Sequence, residues 1–431
     1  MIPALAHALP QSIGVFPLTL VLTAMLAAYL VVGVAGTRRA VRLVGRVPAT
    51  GSAPAATGSA PAATRDAPAG RSGGPLAEAI QPVRPTPWHS LGVLGLVAVA
   101  VLATFGPPDA GRNLTDQAVL VLLWGAVAIS SMLLGPWWPR IDPLRGLSGA
   151  LSAAMGDPEQ RLARPLPRRV GTTSAAVGLG AWAWVEVLTN PSVVFFQALL
   201  LAYVTAHLAA TMRYGATWLE QAESMHVMSR TLGLLRPTGG GPLRRLSEIP
   251  DKDRLRWVCG ALIGWSLADL LTETSVWHDL PRSTTQWLGP VLLVLAVTGT
   301  YGLIRAVSGR FRLGPAFVAV AGAWVVAHYL SALVIEGQGV PIWLSDPFGT
   351  GADLLGRRGT LIDLEAVPLT LLAVLQSVPF VAGHLAAVVI VQRRAARRVS
   401  TPGQLGPATF FARTLIAALL LTGTYLQLGG I

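Results

Sequence analysis

The chain has 431 residues, of which 52% are hydrophobic and only 13% are charged. A soluble globular protein carries about 25% charged residues, so most of this protein's surface is not built to face water. This composition excludes an ordinary cytosolic enzyme and a disordered chain, and the single cysteine, Cys259, excludes a disulfide scaffold. The formal net charge of +12 leaves two partners open, nucleic acid or a membrane, and the positions of the basic residues decide between them.

Ten apolar stretches approach or reach the roughly 20 residues that a helix needs to cross a bilayer. No two of them leave room between them for a folded soluble domain. The sequence therefore predicts an all-α, polytopic transmembrane helix bundle. The predicted spans are 13–35, 90–105, 117–135, 173–190, 193–212, 256–272, 287–304, 315–336, 368–391 and 408–428.

The basic residues are concentrated in alternate loops. One set of loops, together with two arginines just inside the adjoining spans, carries 29 of the 33 lysines and arginines. The opposite set carries only Arg112, Arg282, Arg357 and Arg358. Because cytoplasmic loops are enriched in Lys and Arg, we predict ten spans in a plasma membrane with both termini outside. The basic loops are then explained by anionic lipids, and no nucleic-acid partner is expected.

Three parts follow one another along the chain. Residues 1–46 hold the first span, whose basic flank follows the apolar stretch, so we expect a retained span and not a cleaved signal peptide. Residues 47–87 are rich in Ala, Pro, Gly and Ser and contain GSAPAAT twice, which predicts a disordered cytoplasmic linker. Residues 88–431 form the nine-span body.

Two cytoplasmic loops carry amphipathic patterns that predict helices lying along the inner membrane surface. The first begins at Asp142 as N-cap and Pro143 as first helical residue, and its apolar face is Leu144, Leu147, Leu151 and Met155. The second follows span five. Its apolar side is Trp218, Ala222, Met225, Leu232 and Leu235, and Glu220, Glu223 and Arg230 lie opposite. We interpret His226, between two methionines, as part of this helix and not as a copper ligand.

Ionisable and amide side chains inside spans are costly and mark candidate functional sites. An outer tier combines Glu186, Asp269, Glu336 and Gln376, with His328 below it, and an inner tier pairs His207 with His384. Such groups can also hydrogen-bond neighbouring helices and only fix the packing.

The outer tier supports two kinds of chemistry. Carboxylates and an imidazole can bind one divalent metal ion, which suits hydrolysis by a bound hydroxide. Buried carboxylates can equally relay protons, which suits transport. Glu186, Asp269 and His328 are the candidate catalytic or metal-binding residues, and they would act on a small-molecule ligand. Above them, the outside segment 337–367 contains Asp346 and turn-forming glycines, and we predict that it forms a lid or entrance.

Several sequence patches follow one another between residues 120 and 395. They are Gly135-Pro136-Trp137, Asp142-Pro143-Leu144-Arg145, Trp184-Val185-Glu186, Ala268-Asp269, Ala327-His328-Tyr329, Glu336-Gly337-Gln338, Ser345-Asp346-Pro347-Phe348-Gly349 and Gly383-His384. Together these patches resemble a family of multi-pass membrane proteins from high-GC bacteria, some of them named fenitrothion hydrolase. The resemblance implies attack of water on a phosphotriester at an outward-facing carboxylate and histidine site.

Two other interpretations stay open. A proton-coupled permease for a small solute would use the two tiers as successive stations, and a membrane scaffold would carry out no chemistry. No Walker loop, His-Glu-x-x-His, Gly-x-Ser-x-Gly or dinucleotide fingerprint occurs in the sequence, so nucleotide-driven pumping is not predicted.

Overall fold

The computed structural model describes residues 27–35, 37–38, 86–108, 112–156, 164–188 and 192–427. The predicted linker 47–87 lies outside these residues except for its last two positions, and the predicted first span, 13–35, is described from residue 27 onwards. The described residues form helices joined by turns and contain no β-strand. The predicted all-α fold class is therefore confirmed.

We number the α-helices of seven or more residues from residue 89 onwards. They are α1 (His89–Phe105), α2 (Val127–Leu134), α3 (Pro143–Ala154), α4 (Arg168–Leu188), α5 (Val193–Tyr214), α6 (Ala216–Ala222), α7 (Ser224–Leu232), α8 (Gly241–Glu248), α9 (Asp253–Thr272), α10 (Arg282–Ser308), α11 (Phe317–Ile335), α12 (Gly339–Ser345), α13 (Leu369–Ala396) and α14 (Leu405–Gln427). A π-helical stretch, Gln117–Ala126, leads into α2.

Six helical segments are long and apolar enough to cross a membrane. They are Val193–Tyr214, Asp253–Thr272, Arg282–Ser308, Gly314–Ser345, Thr370–Ala396 and Pro402–Leu426. A seventh candidate is the pair Val121–Leu134 and Trp138–Ala154, which is bent by 115°. Of the other predicted spans, 90–105 falls on the shorter apolar helix α1, and 173–190 falls on α4, which carries Thr172, Thr173 and Ser174 in its first half. The protein thus has the helices of a multi-pass membrane protein.

Helices α9 and α11 form the buried centre of the bundle. In their apolar windows 72% and 78% of the residues are buried, against 11% to 39% in the other four candidate spans. Helix α9 packs against α4, α10 and α11, and α11 packs against α13. The outer helices expose large apolar side chains such as Trp287, Val294 and Val378. Apolar faces of this extent are suited to lipid contact.

Glycine permits close contacts between the central helices, and Gly264 and Gly383 are two examples. A Cβ on Gly264 of α9 would lie 2.5 Å from the carbonyl oxygen of Ala296 in α10. A Cβ on Gly383 of α13 would lie 2.7 Å from the carbonyl oxygen of Ala319 in α11. Small residues that let backbones approach are typical of helix pairs in membranes.

The helical residues 27–35 lie against the two last helices. The amide of Gln392 in α13 donates a hydrogen bond of 2.7 Å to the carbonyl oxygen of Gly33, and the Tyr29 hydroxyl donates to the carbonyl oxygen of Arg413 in α14. The described end of the first predicted span is therefore docked on the body.

Helix α3 begins as predicted but buries a different face. The Asp142 carboxylate accepts a hydrogen bond of 2.9 Å from the Leu144 amide, and Pro143 is the first helical residue. Leu151 and Met155 of the predicted apolar face are exposed, so this face is open to lipid, and its position on the inner membrane surface stays a prediction. The buried residues of the helix are Leu144, Arg145, Ser148 and Ser152. The polar face of α3 turns inward because α1, α5 and α6 pack against it.

The second predicted amphipathic segment, after span five, is helical as expected. Its predicted position on the membrane surface is wrong. The helix breaks at Glu223, where the backbone is extended with φ −75° and ψ 128°. After this break α7 is enclosed by α2, α4, α9 and α11, and it does not lie on the bundle surface. Glu223, predicted on the exposed side, is 1% exposed. Its carboxylate accepts hydrogen bonds from the amides of Met225 and His226, which provides the N-cap of α7.

Candidate functional site

Two residues of the predicted outer tier form a buried acid and imidazole pair between α9 and α11. Nε2 of His328 lies 3.2 Å from Oδ2 of Asp269, and the two side chains are 1% and 8% exposed. Helices α9 and α11 pack against each other at the buried centre of the bundle, and Asp269 lies one turn from the end of α9. A carboxylate at this distance can orient an imidazole for proton transfer.

Glu186 binds the neighbouring residue of α11. The Tyr329 hydroxyl donates to the Glu186 carboxylate, at 2.7 Å from Oε1 and 2.6 Å from Oε2. Because His328 and Tyr329 are adjacent, the two acid pairs meet on one turn of α11. Tyr329 stands in one of the sequence patches, but nothing in the sequence predicts a role for its hydroxyl.

Two tryptophans surround these pairs. The Trp265 ring lies 5.2 Å from the His328 ring and 5.2 Å from the Tyr329 ring, measured between centroids. The Trp124 ring lies 5.0 Å from that of Trp265. Aromatic walls of this kind exclude water, which strengthens the electrostatic interactions of the enclosed groups.

The remaining outer residues hold helices and turns together. Gln376 of α13 donates hydrogen bonds of 2.6 Å to the Ala327 carbonyl oxygen and 3.3 Å to the Ser331 hydroxyl, so it ties α13 to α11. Glu336 begins the turn Glu336–Gln338 directly after α11. Asp346 accepts hydrogen bonds of 2.9 Å from the amides of Thr350 and Gly351. These bonds confirm the ordered turn that the sequence predicts there, and its role as a lid stays a prediction.

The structure does not bring the two residues of the inner tier together. Nδ1 of His207 accepts a hydrogen bond of 2.9 Å from the Trp218 indole, and its ring contacts that of Tyr203. Nδ1 of His384 lies 2.7 Å from the Phe380 carbonyl oxygen within α13. Each histidine is therefore held by the side chains or backbone of its own surroundings.

A second polar cluster, which the sequence analysis did not predict, lies where two interrupted helices begin. It consists of Asp142, at the start of α3, and of Glu223 and His226, at the start of α7. One ligand atom from each of the three lies within 4.8 Å of the others, and all three residues are buried. Among the described residues no other set of three His, Cys, Asp or Glu side chains meets this distance, and Glu186, Asp269 and His328 do not. A metal ion bound by Glu186, Asp269 and His328 stays a prediction.

Burial shifts the pKa values of His226 and Glu223 in this cluster. It lowers the pKa of His226 to about 3, so the imidazole is neutral at physiological pH. Burial, together with repulsion from Asp142, raises the pKa of Glu223 above the usual range of a glutamate. Arg145 forms an ion pair of 3.5 Å with Glu220 at the edge of the cluster. A neutral imidazole between two carboxyl groups is a set of metal ligands.

An apolar cavity of about 330 Å³ adjoins the cluster. Its walls come from α1, the π-helical stretch and α5, and its polar end consists of Asp142, Glu223 and Tyr203. Leu91 and Leu122 line it and are exposed, so the cavity opens on the side of the bundle between α1 and the π-helical stretch.

The sequence contains a signal for this cluster, but a weak one. Glu223 and His226 are three residues apart, which places them on one face at a helix start, and Asp142 precedes a proline. Nothing in the sequence places these two loops next to each other. Comparison of the chain with protein-family models, with curated proteins and with solved structures finds no match.

Proposed function

We propose that this is an integral plasma-membrane protein of ten spans with both termini outside. The six candidate spans and the bent pair support the membrane location. The unequal distribution of basic residues between alternate loops supports the number of spans and their orientation.

Single-cysteine labelling tests this topology, because the only cysteine, Cys259, is buried. In a Cys259→Ala background, Ser12→Cys and Ser283→Cys should react with a membrane-impermeant maleimide in sealed right-side-out vesicles. Ser400→Cys should react only after the vesicles are opened. Reaction of Ser400→Cys in sealed vesicles would contradict the orientation.

We further propose that the outer site hydrolyses a small apolar ester of the phosphotriester type. The observation that carries this proposal is the 3.2 Å contact between His328 and Asp269 inside a wall of tryptophan. Asp269 would orient the imidazole, and His328 would take a proton from water as the water oxygen forms a bond to phosphorus. The ester bond to the leaving group then breaks, and the leaving oxygen departs as an alkoxide or phenolate.

The resemblance to membrane proteins named fenitrothion hydrolase supports the same reaction. A divalent metal ion on Glu186, Asp269 and His328 is the other source of the attacking hydroxide. The ligand atoms of Glu186, Asp269 and His328 do not all lie within 4.8 Å of one another, as a shared metal ion would need. This spacing favours the His328 imidazole as the base.

Turnover of a nitrophenyl phosphotriester by the purified protein tests this function, with metal analysis of the same sample. Asp269→Asn and His328→Gln should each lower kcat/KM by about a hundredfold or more. Asp279→Asn, which removes an exposed carboxylate at the same end of α9, is the matched control and should leave kcat/KM unchanged. Unchanged turnover in Asp269→Asn would refute the proposal.

A proton-coupled permease is the second candidate, favoured by the two acid pairs that meet on α11. In proteoliposomes with an internal pH-sensitive dye, wild-type protein would dissipate a pH gradient, and Glu186→Gln would abolish this flux. The third candidate, a scaffold, requires that these substitutions change only stability.

A further inference from the structure

The cluster of Asp142, Glu223 and His226 contains polar atoms that the protein itself does not satisfy. Both ring nitrogens of His226 and Oδ2 of Asp142 lack a hydrogen-bond partner in the described part of the chain. His226 is 0% exposed and Asp142 is 0% exposed, so bulk water does not reach them. Because buried polar groups in folded proteins are almost always paired, this point in the structure is incomplete without a further group.

The spacing of the free atoms matches the ligand shell of a small divalent cation. Nδ1 of His226 lies 3.5 Å from Oδ2 of Asp142. Two ligands at the zinc distances of 2.0 to 2.2 Å, seen at a tetrahedral angle, lie about 3.4 Å apart. The unpaired atoms are therefore separated as if one ion lay between them.

The local backbone holds the ligands in place. One oxygen of Asp142 caps α3, and this leaves Oδ2 for another partner. Glu223 caps α7 and accepts a further hydrogen bond from the Tyr203 hydroxyl, which fixes its carboxylate. Carboxylate oxygens have several lone pairs, so Glu223 can keep these bonds and still bind a cation.

We propose that Asp142, Glu223 and His226 bind one divalent transition-metal ion of the zinc type through two carboxylates and one imidazole. Three protein ligands leave at least one coordination position for an exchangeable ligand. Asp142 and Glu223 also line the apolar cavity, so that position faces the cavity. The ligands lie at the starts of helices α3 and α7, which carry none of the residues proposed for hydrolysis. The two proposals are therefore independent of each other.

Metal binding by the full-length protein in detergent micelles tests the proposal. The protein is stripped with a chelator and then titrated with Zn²⁺ against a chromophoric zinc indicator. The absorption spectrum of the Co²⁺ form reports the ligand geometry independently of any activity. Asp142→Asn is the most informative variant, because the asparagine oxygen still caps α3 while one anionic ligand is lost. His226→Gln removes the nitrogen ligand, and His384→Gln, which changes another fully buried histidine, is its matched control.

We expect one Zn²⁺ per chain in the wild type and in His384→Gln, and at least tenfold weaker binding in Asp142→Asn and His226→Gln. Zn²⁺ should raise the Tm of the wild type and leave the Tm of Asp142→Asn unchanged. The proposal is overturned if the stripped wild type binds no Zn²⁺, or if Asp142→Asn binds it as tightly as the wild type. It is also overturned if binding is lost in Asp269→Asn and retained in Asp142→Asn, since the ion would then occupy the outer site.

Discussion

The Tyr329 hydroxyl donates to the carboxylate of Glu186 and so connects α11 to α4 inside the bundle. Tyr329 is 2% exposed, and the bond lies among Trp124 and Trp265. Glu186 is half-buried, and the Tyr329 hydroxyl is the buried partner of this bond.

Tyr329→Phe is therefore expected to lower the free energy of unfolding by about 1 kcal/mol, the net contribution of an intramolecular hydrogen bond. Thermal unfolding in detergent, followed by size-exclusion fluorescence, measures the loss. Tyr214→Phe is the matched control, because the Tyr214 hydroxyl has no hydrogen-bond partner within the described chain, and it should change stability by less than about 0.5 kcal/mol. Equal stability of the two variants would show that the bond to Glu186 contributes nothing.

The glycine contact between α13 and α11 gives a prediction with opposite signs at two positions. A Cβ on Gly383 would lie 2.6 Å from the Cβ of Ala323, so Gly383→Ala must push the helices apart and is expected to cost about 1–3 kcal/mol. Gly299 in α10 has nothing within 4 Å of an added Cβ. Gly299→Ala should be neutral or stabilise the protein by up to about 1 kcal/mol, because alanine is the better helix former. Thermal unfolding of both variants in one detergent is the measurement, and a stabilising Gly383→Ala would contradict the packing.

Much of the helical framework could be predicted from the sequence, because apolar stretches of membrane length are a strong local signal. Asp269 and His328 belong to the candidate set with Glu186, because ionisable residues inside spans are costly and mark candidate sites. Which of the three side chains make contact does not follow from the sequence. Helix α4 is less apolar than the six candidate spans, because its first half carries small and hydroxyl residues.

The position of a residue along a helix does not tell which neighbouring helix its side chain faces. For this reason the sequence could not show that His207 and His384 do not pair. The helix break at Glu223 could not be predicted from the sequence either. The amphipathic pattern continues through it, and only packing by α2, α4, α9 and α11 encloses α7 and turns Glu223 inward. The cluster with Asp142 depends on two loops about 80 residues apart in sequence meeting in space, and a single sequence carries no such information.

The last prediction concerns Arg394. Its guanidinium donates hydrogen bonds to backbone carbonyl oxygens at the basic end of the bundle. Nε donates 2.7 Å to the Arg312 carbonyl oxygen, and Nη1 donates 2.8 Å and 2.9 Å to those of Leu246 and Ile249. These carbonyls end α8 and the loop before α11, where the backbone of Arg312 is left-handed with φ 54°. Removing the donor leaves the buried carbonyl oxygens of Leu246 and Ile249 without this partner.

Arg394→Ala is therefore expected to lower the free energy of unfolding by about 3 kcal/mol or more, since hydrogen bonds to a charged group contribute about 1.5–3 kcal/mol each. Arg394→Lys should recover only part of this loss, because one ammonium group cannot reach three carbonyls as a planar guanidinium does. Arg393→Ala, which removes the neighbouring half-buried arginine, is the control and should stay within about 0.5 kcal/mol of the wild type. Thermal unfolding of the three variants decides between this role and a purely electrostatic one, in which Arg394→Lys would be as stable as the wild type.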